Sequence, residues 1–182
     1  MTQPRSLTDA ELRRWIDKLE IRELLERYMR HNDDRAADKL VELLDEGVRF
    51  QVMGRVYVGR DAVRELIASG PGDPPHWTEP GALLRQPGST HVASNPVIEV
   101  DGDAATAETD FVVLRRDSDG RATVRLLGRY RDRLRRRDDG QWVITTRTAV
   151  SVARPGEEGS DAEWQRAPRR LGARARAESS SP

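Results

Sequence analysis

The chain has 182 residues, with 31 Lys and Arg against 31 Asp and Glu, and contains no cysteine. This length suits one domain with a substantial core. The balanced charge argues against a nucleic acid or an anionic membrane as partner, and the lack of cysteine excludes disulfides, thiolate metal sites and cysteine nucleophiles. No apolar run reaches about 18 residues and the N-terminus lacks the apolar core of a signal peptide, so we expect a cytoplasmic protein.

The first helix is predicted to follow a flexible leader at residues 1–7. Thr8 and Glu11 have the spacing of a capping box, and apolar residues then recur at helical spacing as far as Tyr28. The Asn-Asp-Asp sequence at 32–34 favours a helix end, because short polar side chains bond to nearby backbone. Tyr28 and Asp33 would lie about 140° apart on a continuous helix. We therefore expect them to share a site only if the helix ends between them.

Two more helices and a hairpin are predicted next. Helical spacing of apolar residues indicates a second helix at 35–46, with Gly47 placed after its C-cap. Two β-rich runs flank Gly54 and predict a short hairpin, and residues 61–69 suit a third helix. The proline-rich stretch 70–88 contains Trp77, which we expect to belong to a lid or binding loop.

Four β-rich runs separated by three glycine-containing turns follow from Ser89 to Val152, which predicts an antiparallel meander. Residues 154–182 are rich in Arg, Ala, Ser, Gly and Glu, and we expect a disordered tail. The prediction is one α+β domain at residues 1–153, in which three N-terminal helices pack on a strongly curved antiparallel sheet.

Turn lengths predict which side chains share a sheet face. A two-residue loop at 101–102 places His91 and Asp110 on one face, where they could meet. A three-residue second loop sets Asp110 opposite Gly128, which would leave space beside the carboxylate. A two-residue third loop sets Arg147 opposite Asp132 on the same face, and a slip of one residue would turn either side chain outward.

Three stretches, IRELLERYMRHNDDRAADKLVELL, THVASNPVIEVDGDAATAETDFVV and GRYRDRLRRRDDGQWVITTRTAV, together resemble the SnoaL-like branch of the nuclear-transport-factor-like superfamily. The resemblance covers residues 11–152 and is strongest toward scytalone dehydratases and bile-acid dehydratases. It implies a cone-shaped domain in which the helices and the bent sheet enclose a deep pocket. The fold hosts dehydratases, isomerases, cyclases, epoxide hydrolases and inert subunits, so it does not fix the substrate.

The resemblance also implies a set of site residues. The family's catalytic positions fall on Tyr28, Asp33, His91 and Asp110 of this sequence. Asp110 stands where scytalone dehydratases carry a second His, which makes the bile-acid type the closer analogue. The resemblance also implies substrate-binding positions at Asn95 of the His-x-x-x-Asn pattern, at the second pocket tyrosine Tyr57 and at Arg147. The predicted loop and the predicted strand register add Trp77 and Gly128 to this set.

These residue types support acid–base chemistry. An unperturbed imidazole has a pKa of about 6.5, so His91 could remove a proton next to a carbonyl, with Asp110 fixing its tautomer. Tyr28 could donate to a departing hydroxyl or an enolate oxygen, Asp33 could position the other groups, and Arg147 could bind a substrate carboxylate or enolate. The hypothesis is elimination of water, isomerisation or cyclisation of an apolar carbonyl compound such as a polyketide or steroid-like molecule, without a metal or organic cofactor.

Simpler interpretations stand beside this one. Tyr28 could be a core tyrosine, Asp33 an N-cap of the second helix, His91 a structural strand histidine, and Asp110 or Arg147 a member of a surface pair. Two rival functions also remain open: an epoxide hydrolase using Asp110 and Arg147, and a non-catalytic binding or assembly subunit. A homodimer or higher homo-oligomer through the outer sheet face is expected in either case.

Overall fold

The structure, a computed structural model, describes residues 6–69, 89–116, 119 and 121–151. The predicted loop at 70–88 with Trp77, the start of the leader and the predicted tail at 154–182 lie outside the described residues. The described elements, in chain order, are α1 (Asp9–Asp33), α2 (Ala37–Glu42), β1 (Leu44–Val52), β2 (Arg55–Val58), α3 (Arg60–Ala68), β3 (Thr90–Asp101), β4 (Ala104–Arg116), β5 (Ala122–Arg136) and β6 (Trp142–Ser151).

The six strands form one sheet in the order β2-β1-β6-β5-β4-β3. All neighbouring strands are antiparallel except β1 and β6, which run parallel. The chain can make this parallel contact because α3 and the whole meander intervene between the two strands. The helices pack on the concave face, which confirms the predicted α+β architecture.

Helix α1 begins as predicted and is longer than the site prediction required. Thr8 accepts from the Glu11 backbone N–H, and the Glu11 carboxylate accepts from Thr8, which completes a capping box. The helix continues to Asp33, and Arg35 leaves it with a left-handed φ of 52°. Tyr28 and Asp33 therefore lie on one continuous helix, and the predicted break between them is absent.

The second helix is much shorter than predicted. It ends at Glu42, and Leu44 already pairs with Ile144 of β6. Leu44 and Ile144 are both fully buried. Their packing between strands therefore determines the structure here, although the spacing of apolar residues favours a helix. Gly47, predicted as the residue after the C-cap, lies inside β1.

The register between β3 and β4 differs from the predicted one by one residue near the site. The loop is Gly102-Asp103, and Asn95 adopts a left-handed φ of 53° where the pairing shifts between Ser94 and Val97. His91 consequently pairs with Val113, whereas Ser94 pairs with Asp110. Because neighbouring side chains alternate between faces, His91 lies on the concave face and Asp110 on the outer face. The predicted contact between His91 and Asp110 is wrong.

The register between β4 and β5 is also one residue from the predicted one. Asp110 pairs with Arg129, and Gly128 pairs with Phe111 instead. A Cβ atom on Gly128 would lie 2.5 Å from the Phe111 ring and 2.5 Å from the Val150 carbonyl oxygen. Gly128 thus leaves space for Phe111, and not for a ligand beside Asp110 as predicted.

The third predicted register is confirmed, since Asp132 pairs with Arg147. Closer to the turn, the pairing shifts so that Leu134 faces Ile144 and Thr145 becomes the additional residue. This bulge lets the even-numbered Ile144 and the odd-numbered Arg147 both point into the core, where each is fully buried. A regular strand would have turned one of them outward.

We expect Gly128→Ala to destabilise the fold by about 1–3 kcal/mol, because the added methyl group overlaps the Phe111 ring and a backbone oxygen. The free energy of unfolding in denaturant measures the effect. Gly47→Ala is the matched control, since a Cβ there would meet only the Asp45 carboxylate, at 3.7 Å. Equal stability of the two variants would contradict the close packing at Gly128.

Candidate active site

The end of α1 meets the start of β3 through Asp33 and His91. One Asp33 oxygen, Oδ2, accepts from the His91 backbone N–H at 2.9 Å, and the other, Oδ1, lies 2.6 Å from His91 Nδ1. Strand β3 is the edge of the sheet, so its outward N–H groups lack a strand partner and one of them is satisfied by this carboxylate. Asp33 therefore fixes both the backbone and the ring of His91.

This contact determines the tautomer of His91. An ionised carboxylate can only accept hydrogen bonds, so Nδ1 carries the proton and Nε2 carries the lone pair. The Asn32 amide nitrogen lies 3.3 Å from the same Nδ1. The Asn32 NH2 group and a protonated Nδ1 are both donors, so they cannot hydrogen-bond to each other. If the Asn32 amide is turned by 180°, its oxygen takes the place of the nitrogen and can accept from the Nδ1 proton.

The dyad of Asp33 and His91 is partly accessible to solvent. The side chains are 11% and 17% exposed, in contrast to the fully buried residues deeper on the concave face. Asp33 does not act as the N-cap of α2, because Ala36 occupies that position and no side chain caps the helix. The simplest alternative explanation for an aspartate at 33 is therefore not met.

A row of aromatic rings leads from the dyad into the core. The His91 ring centroid lies 6.5 Å from that of Phe111, and Phe111 stacks on Tyr130 at 4.2 Å. Tyr130 meets the edge of Tyr28 at 6.5 Å, and Tyr28 stacks on Phe50 at 6.4 Å. The concave face thus carries the polar pair of Asp33 and His91 at one end and mostly aromatic side chains beyond it.

The deep end of this row holds a buried ion pair. Arg147 Nε and Nη2 each donate to one oxygen of Asp132, both at 2.8 Å, and neither side chain is exposed. The guanidinium carbon lies 3.8 Å from the centre of the Tyr28 ring and 4.5 Å from that of Tyr130. Arg147 was predicted to bind a substrate carboxylate, but its charge is already neutralised by Asp132. Its Nη1 has no hydrogen-bond partner among the described residues.

The ionisation of these groups follows from burial. Burial raises the pKa of Tyr28 to about 12, with the nearby Arg147 opposing the shift, so the hydroxyl keeps its proton at neutral pH. Burial likewise raises the pKa of Tyr130. Burial alone would lower the pKa of Arg147, but the adjacent Asp132 reverses this effect and raises it.

Several predicted site residues lie away from the dyad. Asp110, on the outer face, binds Arg129 Nε at 2.5 Å, with side-chain exposures of 39% and 41%. Asn95 is exposed at the bulge of β3, where its residue type suits a positive φ. Tyr57 pairs with Phe50 and packs against the edge of the core. Asp110 and Arg147 face opposite sides of the sheet, so they do not form the predicted epoxide-opening set.

Sequence reasoning missed two contributors to this arrangement. Asn32 was assigned only to the helix end, although it immediately precedes Asp33 and reaches the same imidazole. Phe111 was not selected, because the predicted registers placed it on the outer face. The alternation of buried Thr109, Phe111 and Val113 along β4 was the signal that could have found it.

Two further classes of site can be checked within the described residues. No group of three or more His, Asp or Glu side chains there could hold a metal ion. None of the three described helices is long and apolar enough to cross a membrane.

The sequence matches the SnoaL-like domain family over residues 13–148. The chain therefore belongs to the SnoaL-like family. No curated protein matches it significantly.

Solved structures with the same fold agree with this assignment. A protein with an NTF2-like, cystatin-like fold from Novosphingobium aromaticivorans is 30% identical, with a TM-score of 0.67 over 84% of this chain and 92% of its own. A Mycobacterium tuberculosis protein of unknown function, Rv3472, is 26% identical, with a TM-score of 0.68 over 82% and 79%. A candidate scytalone dehydratase from N. aromaticivorans is 21% identical, with a TM-score of 0.59 over 76% and 86%, a likeness that shows the fold alone.

We expect Asp132→Asn to destabilise the protein by about 3–5 kcal/mol, because it leaves the Arg147 charge buried without its counter-ion. Asp110→Asn is the matched control: it also removes one carboxylate from an Asp–Arg pair, but a half-exposed one, and should cost less than about 1 kcal/mol. Chemical denaturation of both variants measures the difference. Similar losses would show that the buried pair contributes no more than a surface pair.

Proposed function

We propose that this protein is a cofactor-independent lyase or isomerase that acts on an apolar carbonyl compound, with His91 as the general base. The observation that carries the proposal is the 2.6 Å contact between Asp33 and His91 Nδ1. This contact favours the tautomer that carries its proton on Nδ1 and its lone pair on Nε2. That tautomer can remove a proton next to a carbonyl group. The reaction would be elimination of water, or the closely related isomerisation or cyclisation.

Asp33 takes the role that the sequence assigned to Asp110. A carboxylate on Nδ1 stabilises the imidazolium that forms when Nε2 accepts the substrate proton. The same carboxylate holds the backbone N–H of His91, so the ring cannot move without the strand that carries it. Elimination then requires the His91 imidazolium, or a second donor, to return a proton to the departing hydroxyl.

The aromatic row supports an apolar and largely planar substrate. Phe111 lies beside His91 and stacks on Tyr130, and both rings are almost fully buried, so the surroundings of the dyad are apolar and favour an apolar, flat substrate. The ion pair at the deep end is neutral as a whole. A substrate without a carboxylate therefore fits this site better than the anionic one that Arg147 had suggested.

Tyr28 is proposed as a donor at the deep end of the site. Its raised pKa keeps the hydroxyl protonated, so it can donate to a carbonyl or enolate oxygen but cannot act as a base at neutral pH. Tyr28 is only 2% exposed and packs against Phe50, Tyr130 and Arg147, so this role requires the substrate to displace part of that packing. We expect Tyr28→Phe to lower kcat more than it raises KM, as measured by steady-state kinetics. An unchanged kcat would leave Tyr28 with a packing role only.

A homodimer through the outer sheet face is proposed as the working assembly. Four apolar side chains on the outer face of β3 and β5 are 46–60% exposed, namely Val92, Val97, Val124 and Leu127. The charged pairs of β4 and β5 lie beside them, including Arg129 with Asp110 and Glu108. Apolar side chains ringed by ion pairs are typical of protein interfaces.

The proposed chemistry is tested with ring-fused β-hydroxy ketones and β-hydroxy thioesters as substrates. Loss of one water from the substrate is followed by mass spectrometry. We expect His91→Gln and Asp33→Asn each to lower kcat/KM by about 100- to 10,000-fold, the range for removing general-base catalysis. The double variant should lose little more than either single one, because the two side chains act as a unit.

The control for this test is His31→Gln. His31 lies on the same helix in a half-buried position, and the charged groups that act on it are Arg27, Lys39, Asp34 and Glu42 rather than the dyad. Circular dichroism and thermal melts of all variants separate loss of chemistry from loss of fold. Turnover that survives in both dyad variants would refute the assignment of His91 and Asp33.

Deuterium exchange separates the base from the elimination step. A ketone without a β-hydroxyl cannot lose water, but in D2O it should exchange its α-hydrogen when His91 removes that proton. NMR would detect the exchange in the wild type and its loss in His91→Gln. A ligand carrier on the same fold would bind the ketone without exchange, which would contradict the enzymatic proposal.

A further inference from the structure

Helix α1 carries a second apolar surface that the described part of the chain leaves exposed. Leu12, Trp15, Ile16 and Leu19, here called the α1 stripe, are 50%, 58%, 38% and 64% exposed. These positions follow the i, i+3, i+4, i+7 spacing of one helix face. Along the first two turns of α1, every side chain is exposed except the half-buried capping residue Glu11.

The α1 stripe points away from the protein's own sheet. At about 100° per residue, the buried side chains of α1 centre roughly 180° from the stripe around the helix axis. These buried residues are Asp17, Ile21, Leu24, Leu25, Tyr28 and Met29. No movement of α1 against the sheet can bury both faces, so another surface must cover the stripe if it is to leave water.

We propose that the α1 stripe pairs with the same stripe of a second copy of this chain, with the two helices antiparallel. A two-fold axis near residues 15 and 16 sets Leu12 of one copy against Leu19 of the other. Trp15 then lies against Ile16 of the second copy. The four apolar side chains of each stripe would bury one another.

The charges beside the stripe favour this partner. Roughly a quarter turn to one side lie Arg13 and Glu20, and a quarter turn to the other side lie Glu11 and Arg22. In an antiparallel pair each side of the helix meets the same side of its copy. Arg13 then comes within about two residues of Glu20 of the second copy, and Glu11 of Arg22 of the second copy, so both sides are complementary. Within one chain Arg13 also pairs with Asp17, Arg22 with Glu26 and Glu20 with Arg136, so the contacts between copies would extend existing ion pairs.

The antiparallel direction follows from two further acids. Glu23 and the 65% exposed Glu26 continue the line of the stripe toward the C-terminus. A parallel pair would place each of them against its own copy, where like charges repel. An antiparallel pair places Glu23 opposite Thr8 at the N-terminus of the other α1, where the helix dipole favours a negative charge and partly offsets the repulsion from Asp9 and Glu11 of that first turn.

The contact is separate from the sheet face and from the proposed chemistry. None of the stripe residues contacts Asp33 or His91, and the outer sheet face carries its own apolar residues. Two turns of paired helix bury less than the approximately 1,600 Å² of a standard interface. The pairing should therefore join copies or dimers that other contacts already stabilise, and it should grow with protein concentration.

Disulfide trapping tests the proposal, because the natural chain has no cysteine and one introduced cysteine reports one position. We expect Ile16→Cys to form a covalent dimer under mild oxidation, since residue 16 lies next to its copy at the two-fold axis. Leu12→Cys and Leu19→Cys should link poorly alone and efficiently when mixed, because each lies about 10 Å along the axis from its own copy.

Arg14→Cys is the control for random collision, since Arg14 is exposed on the side of α1 away from the stripe. Linkage of Ile16→Cys no greater than this control would overturn the proposal. Efficient linkage of Leu12→Cys with itself would overturn the antiparallel direction. Light scattering on the uncrosslinked protein adds a second readout: Leu19→Glu should halve the mass reached at high concentration, whereas Arg14→Glu should leave it unchanged.

Discussion

The buried pair of Asp132 and Arg147 is the interaction on which the rest of the structure depends. Both side chains are removed from water, so each charge is tolerated only because the other neutralises it. The guanidinium carbon lies 3.8 Å from the ring centre of Tyr28 and 4.5 Å from that of Tyr130, which adds a cation–π attraction that a desolvated site strengthens. One ion pair thereby joins α1, β5 and β6.

The position of the dyad follows from this packing. Tyr28 is held against Arg147, and Asp33 lies five residues further along the same rigid helix, about 7.5 Å along its axis. A helix fixed at Tyr28 therefore carries Asp33 to one place, at the edge strand β3, where His91 lies. Tyr28 and Asp33 do not need to share a helix face, because the curved sheet brings different strands to each of them.

Those features that depend on local spacing could be predicted from the sequence. The capping box at Thr8, the order of helices and meander strands, and the pairing of Asp132 with Arg147 are of this kind. The partner of His91 could not be predicted in this way. It depends on which two residues form the β3–β4 loop and on the bulge at Asn95, and together these place Asp110 on the other face of the sheet. Alternation of residue types does not reveal this bulge, since polar and apolar residues occur at both odd and even positions of β3 around Asn95.

The two candidate acids illustrate what a carboxylate needs in order to orient a histidine. Asp110 pairs with Arg129 on the outer face. Solvent screens this ion pair, and Arg129 also interacts with Glu108. Among the residues that the structure describes, Asp33 forms no ion pair with an arginine, and it gives both oxygens to one residue, the backbone N–H and the ring of His91. A carboxylate that is not neutralised by a guanidinium keeps its full charge for the imidazolium. This is the physical reason for proposing the helix-end acid, and not the acid on the strand, as the partner of His91 in the proposed chemistry.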